Sequence, residues 1–341
     1  MNFKDTLYAF QDNAVGGYLI NTRELLSGDQ GAALSIGTGQ GISDYQYIST
    51  EYGCIHQYAV TKTDSGVYFL DARRQKFFLL GEGLTDLSEV LGMNDFLRSR
   101  IPDSFLITRE EGGDNPLLYT GPHMTYDPLN KEVWLTSAEI VRPEIPGTGP
   151  GDPPLSRQQV AGFTLCFSEP LKAFSSFYSH LPNIYLQSRR RILSPNPGLA
   201  NELYLHDVGD YGVFYDTDPE ESSITIRVNS LAVANKILRF LEYNSIVKDF
   251  NIPSGPVVQE QGLSSIKIEN DYQDSGKQSL DERQKRRFRK WRVKLPRDNN
   301  SQNALGRFRG TYFDITLYFD NSVNLSIMLE RIMSYYDVHI Y

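Results

Sequence analysis

Residues 59–80 read AVTKTDSGVYFLDARRQKFFLL, and this stretch carries the clearest strand and turn signals in the chain. Val67–Leu70 is an apolar and aromatic run, which is typical of a buried strand. The preceding Asp64-Ser65-Gly66 and the following residues 71–75 predict tight turns, because Asp and Ser bond nearby backbone and glycine accepts φ > 0. Lys76–Leu80 predicts a return strand. The whole stretch therefore predicts three short antiparallel strands.

The same pattern of strand, polar turn and strand recurs at intervals of tens of residues. Further copies occupy residues 124–136, 163–178 and 184–193, and another strand-like run follows at 202–205. Such repetition is typical of propeller blades. The 21 Tyr and 18 Phe also favour strands over helices. We therefore predict an all-β fold built largely from blade-like hairpins, with well under a quarter helix.

Composition limits the classes of function. The net charge of −8, from 42 acidic and 34 basic residues, argues against a protein whose whole surface binds nucleic acid, although it permits a local basic patch. Cys54 and Cys166 lie in apolar runs and are interpreted as buried free thiols. The first 30 residues lack a signal-peptide pattern, and no run reaches the ~20 apolar residues of a membrane helix. We expect a soluble protein made in a cytoplasm, without membrane contact.

The chain is expected to divide into three parts. Residues 1–50 are interpreted as a segment joining the propeller, 51–255 as propeller blades, and 256–341 as a smaller C-terminal β domain. Residues 143–156, PEIPGTGPGDPPLS, are rich in Pro and Gly and predict a long exposed insertion between blades.

Several local elements are also predicted. Apolar residues between Met93 and Ile101 have helical spacing, with Asn94 as a cap or Gly92 as a break. Residues 37–41, GTGQG, resemble a dinucleotide loop superficially and are interpreted as a surface loop. Residues 231–247 permit a helix or a strand, and we favour a strand. Near the C-terminus, a strand at 310–319 is expected to pair with a strand at 325–336.

The sequence contains no recognisable set of catalytic residues. His56, His123, His180, His206 and His339 show no metal-ligand spacing, and there is no GxSxG, P-loop, HExxH or CxxC motif. Asp64-Ser65-Gly66 matches part of a sialidase-type repeat, but Lys62 stands where Ser or Thr is needed and nothing repeats it. We expect no catalytic residue, cofactor or metal site, so an enzyme is unsupported.

The concentrated charge feature is RQKRRFRKWRVKLPR, residues 283–297, in which nine of fifteen residues are basic and none is acidic. A nucleic-acid patch is one interpretation, with Phe288 and Trp291 available for stacking. A nuclear localisation signal is another, and a basic strand face that packs against an acidic neighbouring subunit is the third, which we favour. The cluster comprises Arg283, Lys285, Arg286, Arg287, Arg289, Lys290, Arg292, Lys294 and Arg297. Of these, Lys290, Arg292 and Lys294 are expected to be partly buried and paired with carboxylates. The triplet Arg189-Arg190-Arg191 is interpreted as a solvated turn.

Several stretches together resemble a known family. These are GVYFLDARRQKFFLLGEGLTDLSEVLGMNDFLRSRI, MTYDPLNKEVWLT, FTLCFSEPLKAFSSFYSHLPNIYLQSRRRIL, ILRFLEYNS, WRVKLPRDN and RFRGTYFDITLYFDN. In this order they resemble the muzzle, or nozzle-like, proteins of crAss-like phages, which are large tail proteins of short-tailed bacteriophages. The resemblance covers roughly two-thirds of the chain and brings no catalytic residues with it.

The resemblance implies a virion structural protein that acts by assembly. Such chains build a β-propeller with extra β domains, and several copies form a ring at the distal end of the tail around the DNA exit channel. The low number of blade-like hairpins predicts an incomplete or partner-completed propeller, since unpaired sheet edges are seldom left exposed. The expected partners are further copies of the chain, other tail proteins and, weakly, DNA. A carbohydrate- or receptor-binding propeller on a phage tail or bacterial surface is the alternative.

Overall fold

The chain folds into two compact units, Met1–Asp207 and Val208–Tyr341. A computed structural model describes residues 1–4, 6–20, 23–27, 33–37, 42–101, 121–137, 140–141, 159–188, 190–196, 202–252, 254–299, 306–322 and 324–339. Strands make up 51% of the described residues and helices 4%, which confirms the prediction of a nearly all-β chain. The predicted loop at 38–41 and the insertion at 143–156 lie outside the described residues.

In its described residues, the first unit contains three four-stranded sheets, one three-stranded sheet and two separate strand pairs, all antiparallel. Its strands are β1 (Asn2–Phe3), β2 (Thr6–Phe10), β3 (Val15–Ile20), β4 (Arg23–Ser27), β5 (Ala33–Gly37), β6 (Ile42–Ser49), β7 (Val60–Lys62), β8 (Val67–Asp71), β9 (Lys76–Leu80), β10 (Leu84–Asp86), β11 (His123–Asp127), β12 (Glu132–Ser137), β13 (Ile140–Val141), β14 (Gln159–Val160), β15 (Phe163–Ser168), β16 (Ala173–Tyr178), β17 (Leu186–Ser188), β18 (Arg191–Pro195) and β19 (Leu203–Leu205). The sheets have the orders β1-β2-β3-β6, β10-β9-β8-β7, β11-β12-β15-β16 and β17-β18-β19, and β4–β5 and β13–β14 form separate pairs.

The predicted second and third hairpins are not separate blades. β12 pairs with β15, and Trp134 lies opposite Cys166 on this ladder. Both hairpins therefore belong to one four-stranded sheet. The Pro- and Gly-rich insertion consequently connects two neighbouring strands of a sheet, and not two blades as predicted. The physical reason is that each hairpin alone leaves an unpaired inner edge, and joining these edges satisfies both sets of backbone groups.

The stretch that carries the strongest strand signals lies at the centre of the first core. All five residues of β8 are buried, as expected for a continuous apolar run. Phe69 stacks on Phe78, with ring centroids 5.1 Å apart. Gly66 does not have a positive φ. A Cβ atom there would lie 2.6 Å from the Leu80 carbonyl oxygen, so glycine is needed for close approach and the predicted reason was wrong.

Two short helices, α1 (Leu87–Val90) and α2 (Asn94–Arg100), follow β10. α2 matches the predicted helix and buries Leu97 against the core. Its N-cap is Met93, so Asn94 is not the cap. Gly92 has φ +72° and interrupts the helical backbone before α2, as predicted. Among the residues that the structure describes, no helix is long and apolar enough to cross a membrane.

Both cysteines are buried and unlinked, as predicted. The Cys54 thiol donates to the His56 carbonyl oxygen at 3.2 Å. Burial raises the pKa of Cys166 to about 12. The thiol therefore stays protonated and has a structural role.

The second unit consists of two sheets around a shared core. Its strands are β20 (Ser222–Val228), β21 (Asn235–Asp249), β22 (Val257–Val258), β23 (Ser265–Glu269), β24 (Gln278–Ser279), β25 (Gln284–Arg287), β26 (Lys290–Val293), β27 (Arg309–Gly310), β28 (Phe313–Phe319) and β29 (Leu325–His339). One sheet has the order β20-β28-β23-β24, and the other is built on β21, which pairs with β22, β26, β27 and β29. Alternate residues of β21 and β28 face the core that both sheets share.

Most of residues 231–247 lie in the strand β21 (Asn235–Asp249), as favoured from the sequence, but the place of this strand in the molecule differs from the prediction. β20 pairs with β28, and β21 pairs with β29 along almost its full length. The unit boundary therefore follows Asp207 and not residue 255. For the same reason, the predicted hairpin between 310–319 and 325–336 does not form, because its two strands belong to different sheets.

Candidate interaction surface

The basic run folds as a β-hairpin, which we call the basic hairpin and define as residues 284–293. β25 and β26 pair antiparallel through a two-residue turn, Phe288-Arg289. Both turn residues have positive φ, 48° and 66°. This combination corresponds to a type I′ turn, which matches the twist of paired strands but normally uses Asn-Gly.

One face of the basic hairpin anchors it to the second core. Trp291 and Val293 are buried and alternate with exposed basic residues, as predicted. Trp291 stacks on Tyr243 at 6.1 Å, and the Tyr243 hydroxyl donates to Gln284 at 2.6 Å. Arg286 lies on this side, where it donates to the Gln259 carbonyl oxygen. Trp291 is therefore a core residue and is not available to stack on a base, which corrects one part of the nucleic-acid interpretation.

The opposite face carries two pairs of like charges. Lys285 lies directly opposite Arg292, and Arg287 lies directly opposite Lys290. All four side chains are exposed. Directly opposed like charges destabilise a two-stranded ladder by tenths of a kcal/mol up to about 1 kcal/mol. The opposed cations therefore repel each other within the basic hairpin.

Within the chain, Glu242 of β21 lies directly opposite Arg292 on the ladder with β26. Lys290, Arg292 and Lys294 are exposed in the single chain, so their expected burial at a contact between β elements stays a prediction. None of the nine basic residues forms an ion pair with a carboxylate in the described parts of the chain. Contact with another chain stays a prediction.

Aromatic side chains border this face. The guanidinium carbon of Arg292 lies 3.8 Å from the centroid of the Phe240 ring, which stacks on Tyr335 at 4.3 Å. The Tyr335 hydroxyl donates to Glu242 at 3.2 Å. Phe288, at the hairpin tip, is 98% exposed. An exposed aromatic tip beside cations suits contact with another macromolecule.

Beside the base of the hairpin is a cavity of about 110 Å³ whose rim is cationic. We call it the cationic pocket. It is lined by Leu238, Arg239, Lys294, Leu295, Pro296, Arg297, Arg307 and Phe308. The pocket lies where the ladder along β21 changes partner, between residues paired with β27 and those paired with β26. A register shift between Leu238 and Phe240 leaves Arg239 as the extra residue of a bulge, and bulges re-aim side chains in this way.

Arg239 and Arg307 were not identified from the sequence. Arg239 lies 44 residues before the basic run and Arg307 ten residues after its end, and scattered arginines are common on solvated surfaces. The pairing of β21 with both β26 and β27 brings these arginines beside the end of the basic run. Arg239 is the bulge residue of β21 and Arg307 lies two residues before β27, and neither position carried a separate signal.

Three of the histidines meet in the first unit, although their spacing predicted no cluster. The rings of His180 and His206 are 4.9 Å apart, and each lies edge-on to Trp134 at 5.3 and 5.4 Å. His123 contacts Tyr185 at 5.1 Å in the same region. Burial lowers the pKa of His180 to about 3 and that of His206 to about 4. No group of three or more potential ligands in the described parts of the chain has the geometry of a metal site.

The partial sialidase-type repeat has a structural arrangement. Ser65 and Thr63 both donate to the Glu169 carboxylate, and Tyr68 donates to it at 3.0 Å. Tyr68 is 2% exposed, and burial raises the pKa of its hydroxyl. This carboxylate therefore joins two sheets by hydrogen bonds.

Comparison with known proteins agrees with the resemblance drawn from the sequence. A family model described as Crassvirus muzzle protein matches residues 1–198, and one described as Crassvirus muzzle protein C-terminal domain matches residues 209–298. The "Muzzle protein" of Bacteroides phage crAss001 is 22% identical over 322 residues, which cover 92% of this chain and 20% of that relative. The chain therefore spans about a fifth of the length of the curated relative it matches. With the first family model matching more than half of its residues, the chain belongs to the crassvirus muzzle protein family.

Proposed function

We propose that this chain is a virion structural protein, a muzzle-like component at the distal end of a phage tail that forms a ring of identical copies around the DNA exit channel. The observation that carries the proposal is the outer face of the basic hairpin. Its opposed cations have no ion-paired carboxylate in the described parts of the chain, yet the chain as a whole has a net charge of −8. A neighbouring copy thus offers the anionic surface that this face needs.

The first unit supports a partner-completed propeller. Three of its sheets have four strands in near-meander order and the fourth, β17-β18-β19, has three. Propellers usually have four to eight four-stranded blades. A strand from another polypeptide, added to an edge of the three-stranded sheet, would complete the fourth blade by main-chain pairing.

The proposed role is assembly and not catalysis. The candidate carboxylate Glu169 and its neighbour Tyr68 are committed to hydrogen bonds between sheets, and the histidine cluster is buried around Trp134. The glycan- or receptor-binding alternative has less support. Among the described residues, the exposed aromatic side chains Tyr47, Tyr58 and Phe177 are not in ring contact with one another and so form no common binding surface.

Reversing the outer-face charges tests the proposal. We expect particles produced with Lys285→Glu, Arg287→Glu, Lys290→Glu and Arg292→Glu together to lack this chain, because the interface would then oppose two acidic surfaces. If the face instead lines the channel, the particles would assemble and release their genome more slowly, since counterion release makes such contacts with passing DNA weak and salt-dependent. Particles that assemble normally and eject DNA at the usual rate would contradict both versions.

A further inference from the structure

Two oppositely charged surfaces lie at opposite ends of one strand of the second unit. The cationic pocket sits at Leu238 and Arg239, near the start of β21. Residues 216–221, DTDPEE, form an acidic loop beside the other end of the same strand, which closes at Asp249. Ten residues separate Arg239 from Asp249, which corresponds to roughly 30–35 Å at the rise of a strand. The two surfaces are therefore too far apart to meet within one copy.

The acidic loop is held in a fixed shape. The Glu220 amide donates to the Gly212 carbonyl oxygen at 2.7 Å, and the Asn321 side chain donates to the Glu220 carbonyl oxygen. Just before the loop, Tyr211 stacks on Phe250 at 4.7 Å, which ties it to the end of β21. Backbone anchoring of this kind lowers the entropy that the loop would lose on binding.

The carboxylates of this loop point to a partner outside the copy. Asp216, Asp218 and Glu220 are exposed, and no ion pair joins them to a described residue. Glu221, by contrast, pairs with Lys277 at 2.5 Å. The loop thus presents three exposed carboxylates on a segment of fixed shape, and the neighbouring Glu221 carboxylate is neutralised by Lys277.

The cationic pocket has a complementary shape and charge. Its floor is apolar, since Leu238, Leu295 and Phe308 are all less than a tenth exposed. Its rim carries four cations, of which Arg239 pairs with Asp337. A partly open cavity of about 110 Å³ has room for a small anionic group such as a carboxylate.

We propose that the cationic pocket of one copy receives the acidic loop of a second copy. The inference rests on the proposed function and names the contact that builds the ring. Because the two surfaces differ, the contact is head-to-tail, and such contacts generate closed rings or open filaments. A carboxylate is favoured over a DNA phosphate because the matching loop lies on the same unit and the chain's net charge of −8 repels DNA.

Self-association of the full chain is the first test. Sedimentation of the purified protein should show oligomers at low salt, and raising the salt from about 50 mM to about 500 mM should weaken them about tenfold, since screening lengths shorten accordingly. A chain that stays monomeric at low salt, or that associates independently of salt, would overturn the inference.

Charge exchange is the decisive test. Lys294→Glu with Arg297→Glu should weaken self-association about tenfold or more, and Asp216→Lys with Asp218→Lys should do the same. All four changes in one chain should restore it to within about threefold, because the reversed surfaces match again. Glu260→Lys with Glu330→Lys changes the net charge as the loop reversal does, but away from both surfaces, and should have no effect. Failure of the combined variant to recover would overturn the inference.

Two further measurements keep the outcomes separate. A short fluorescent DNA duplex whose binding is lost on reversing the pocket, and unaffected by reversing the loop, would assign the pocket to phosphate and overturn the inference. Incorporation of the pocket and loop variants into particles distinguishes the two proposals. Normal incorporation of both, with loss only of the basic-hairpin variant, would overturn the pocket contact and leave the proposed function standing.

Discussion

At the scale of single residues, the tip of the basic hairpin is the most strained backbone in the interaction surface. Phe288 and Arg289 both occupy the left-handed region, where bulky residues cost of order 1–3 kcal/mol each. Phe288 is 98% exposed, so its ring contributes little burial energy. Replacing the pair by Asn-Gly, as Phe288→Asn with Arg289→Gly, should therefore raise the free energy of unfolding by about 1–2 kcal/mol.

Urea unfolding followed by the fluorescence of the buried Trp291 measures this effect. Phe288→Ala is the matched control, because it removes the ring but keeps a residue that disfavours positive φ, and it should gain little. A less stable Asn-Gly variant would contradict the positive φ of the two turn residues. If the stabilised variant also assembles poorly, the strain serves the contact that the tip makes.

The buried histidines give the first unit a predicted pH dependence. His180 and His206 have pKa values of about 3 and about 4, below the ordinary 6.5, because burial disfavours the charged ring. Below pH 6.5 the unfolded chain binds more protons than the folded chain, so stability falls as the pH decreases. Burial raises the pKa of Asp207 to about 6, so the protonation of this carboxyl group stabilises the folded chain as the pH falls and opposes the effect of the histidines. The Asp207 side chain is exposed and its pKa shift is smaller than the shifts of the two histidines.

We expect the first unit to lose about 2–3 kcal/mol of unfolding free energy between pH 7 and pH 5. Chemical denaturation at the two pH values, read from Trp134 in a Trp291→Phe background, provides the measurement. His180→Gln should remove about half of the pH dependence while His339→Gln, in the other unit, should not change it. A stability that is flat over this range would show that water reaches the two rings in the folded protein.

At the scale of elements, the opposed like charges lower the stability of the basic hairpin. Lys285→Glu places a carboxylate directly opposite Arg292, so it should raise the free energy of unfolding by about 0.5–1 kcal/mol at low salt and by less at high salt. Arg286→Glu has the same charge change on the anchored face, where it removes the bond to Gln259, and should destabilise the chain. Equal effects of the two substitutions would contradict the assignment of faces.

The same elements show what the sequence predicts and what it does not. Alternation of Trp291 and Val293 with Arg292 predicts which residues face the core, because the side-chain period of a strand is two. Periodicity carries no information about which strand lies alongside. The pairing of β20 with β28, separated by about 90 residues, therefore stayed hidden, and the short connection before β29 suggested a hairpin that does not form. The cationic pocket was missed for the same reason, because Arg239 lies on β21 and Arg307 in the segment before β27.

At the scale of the whole molecule, unsatisfied features in both units point to assembly. The first unit contains a three-stranded sheet among four-stranded ones, and the second carries a cationic pocket and an acidic loop at opposite ends of β21. The chain spans about a fifth of the length of its curated relative.

A symmetry-resolved electron cryomicroscopy reconstruction of the native particle tests the proposed ring most directly. We expect identical copies around a channel at the tail end, with each basic hairpin covered by acidic surface of a neighbouring copy. A particle that lacks the chain, or one in which single copies leave the basic hairpin exposed to solvent, would contradict the proposal.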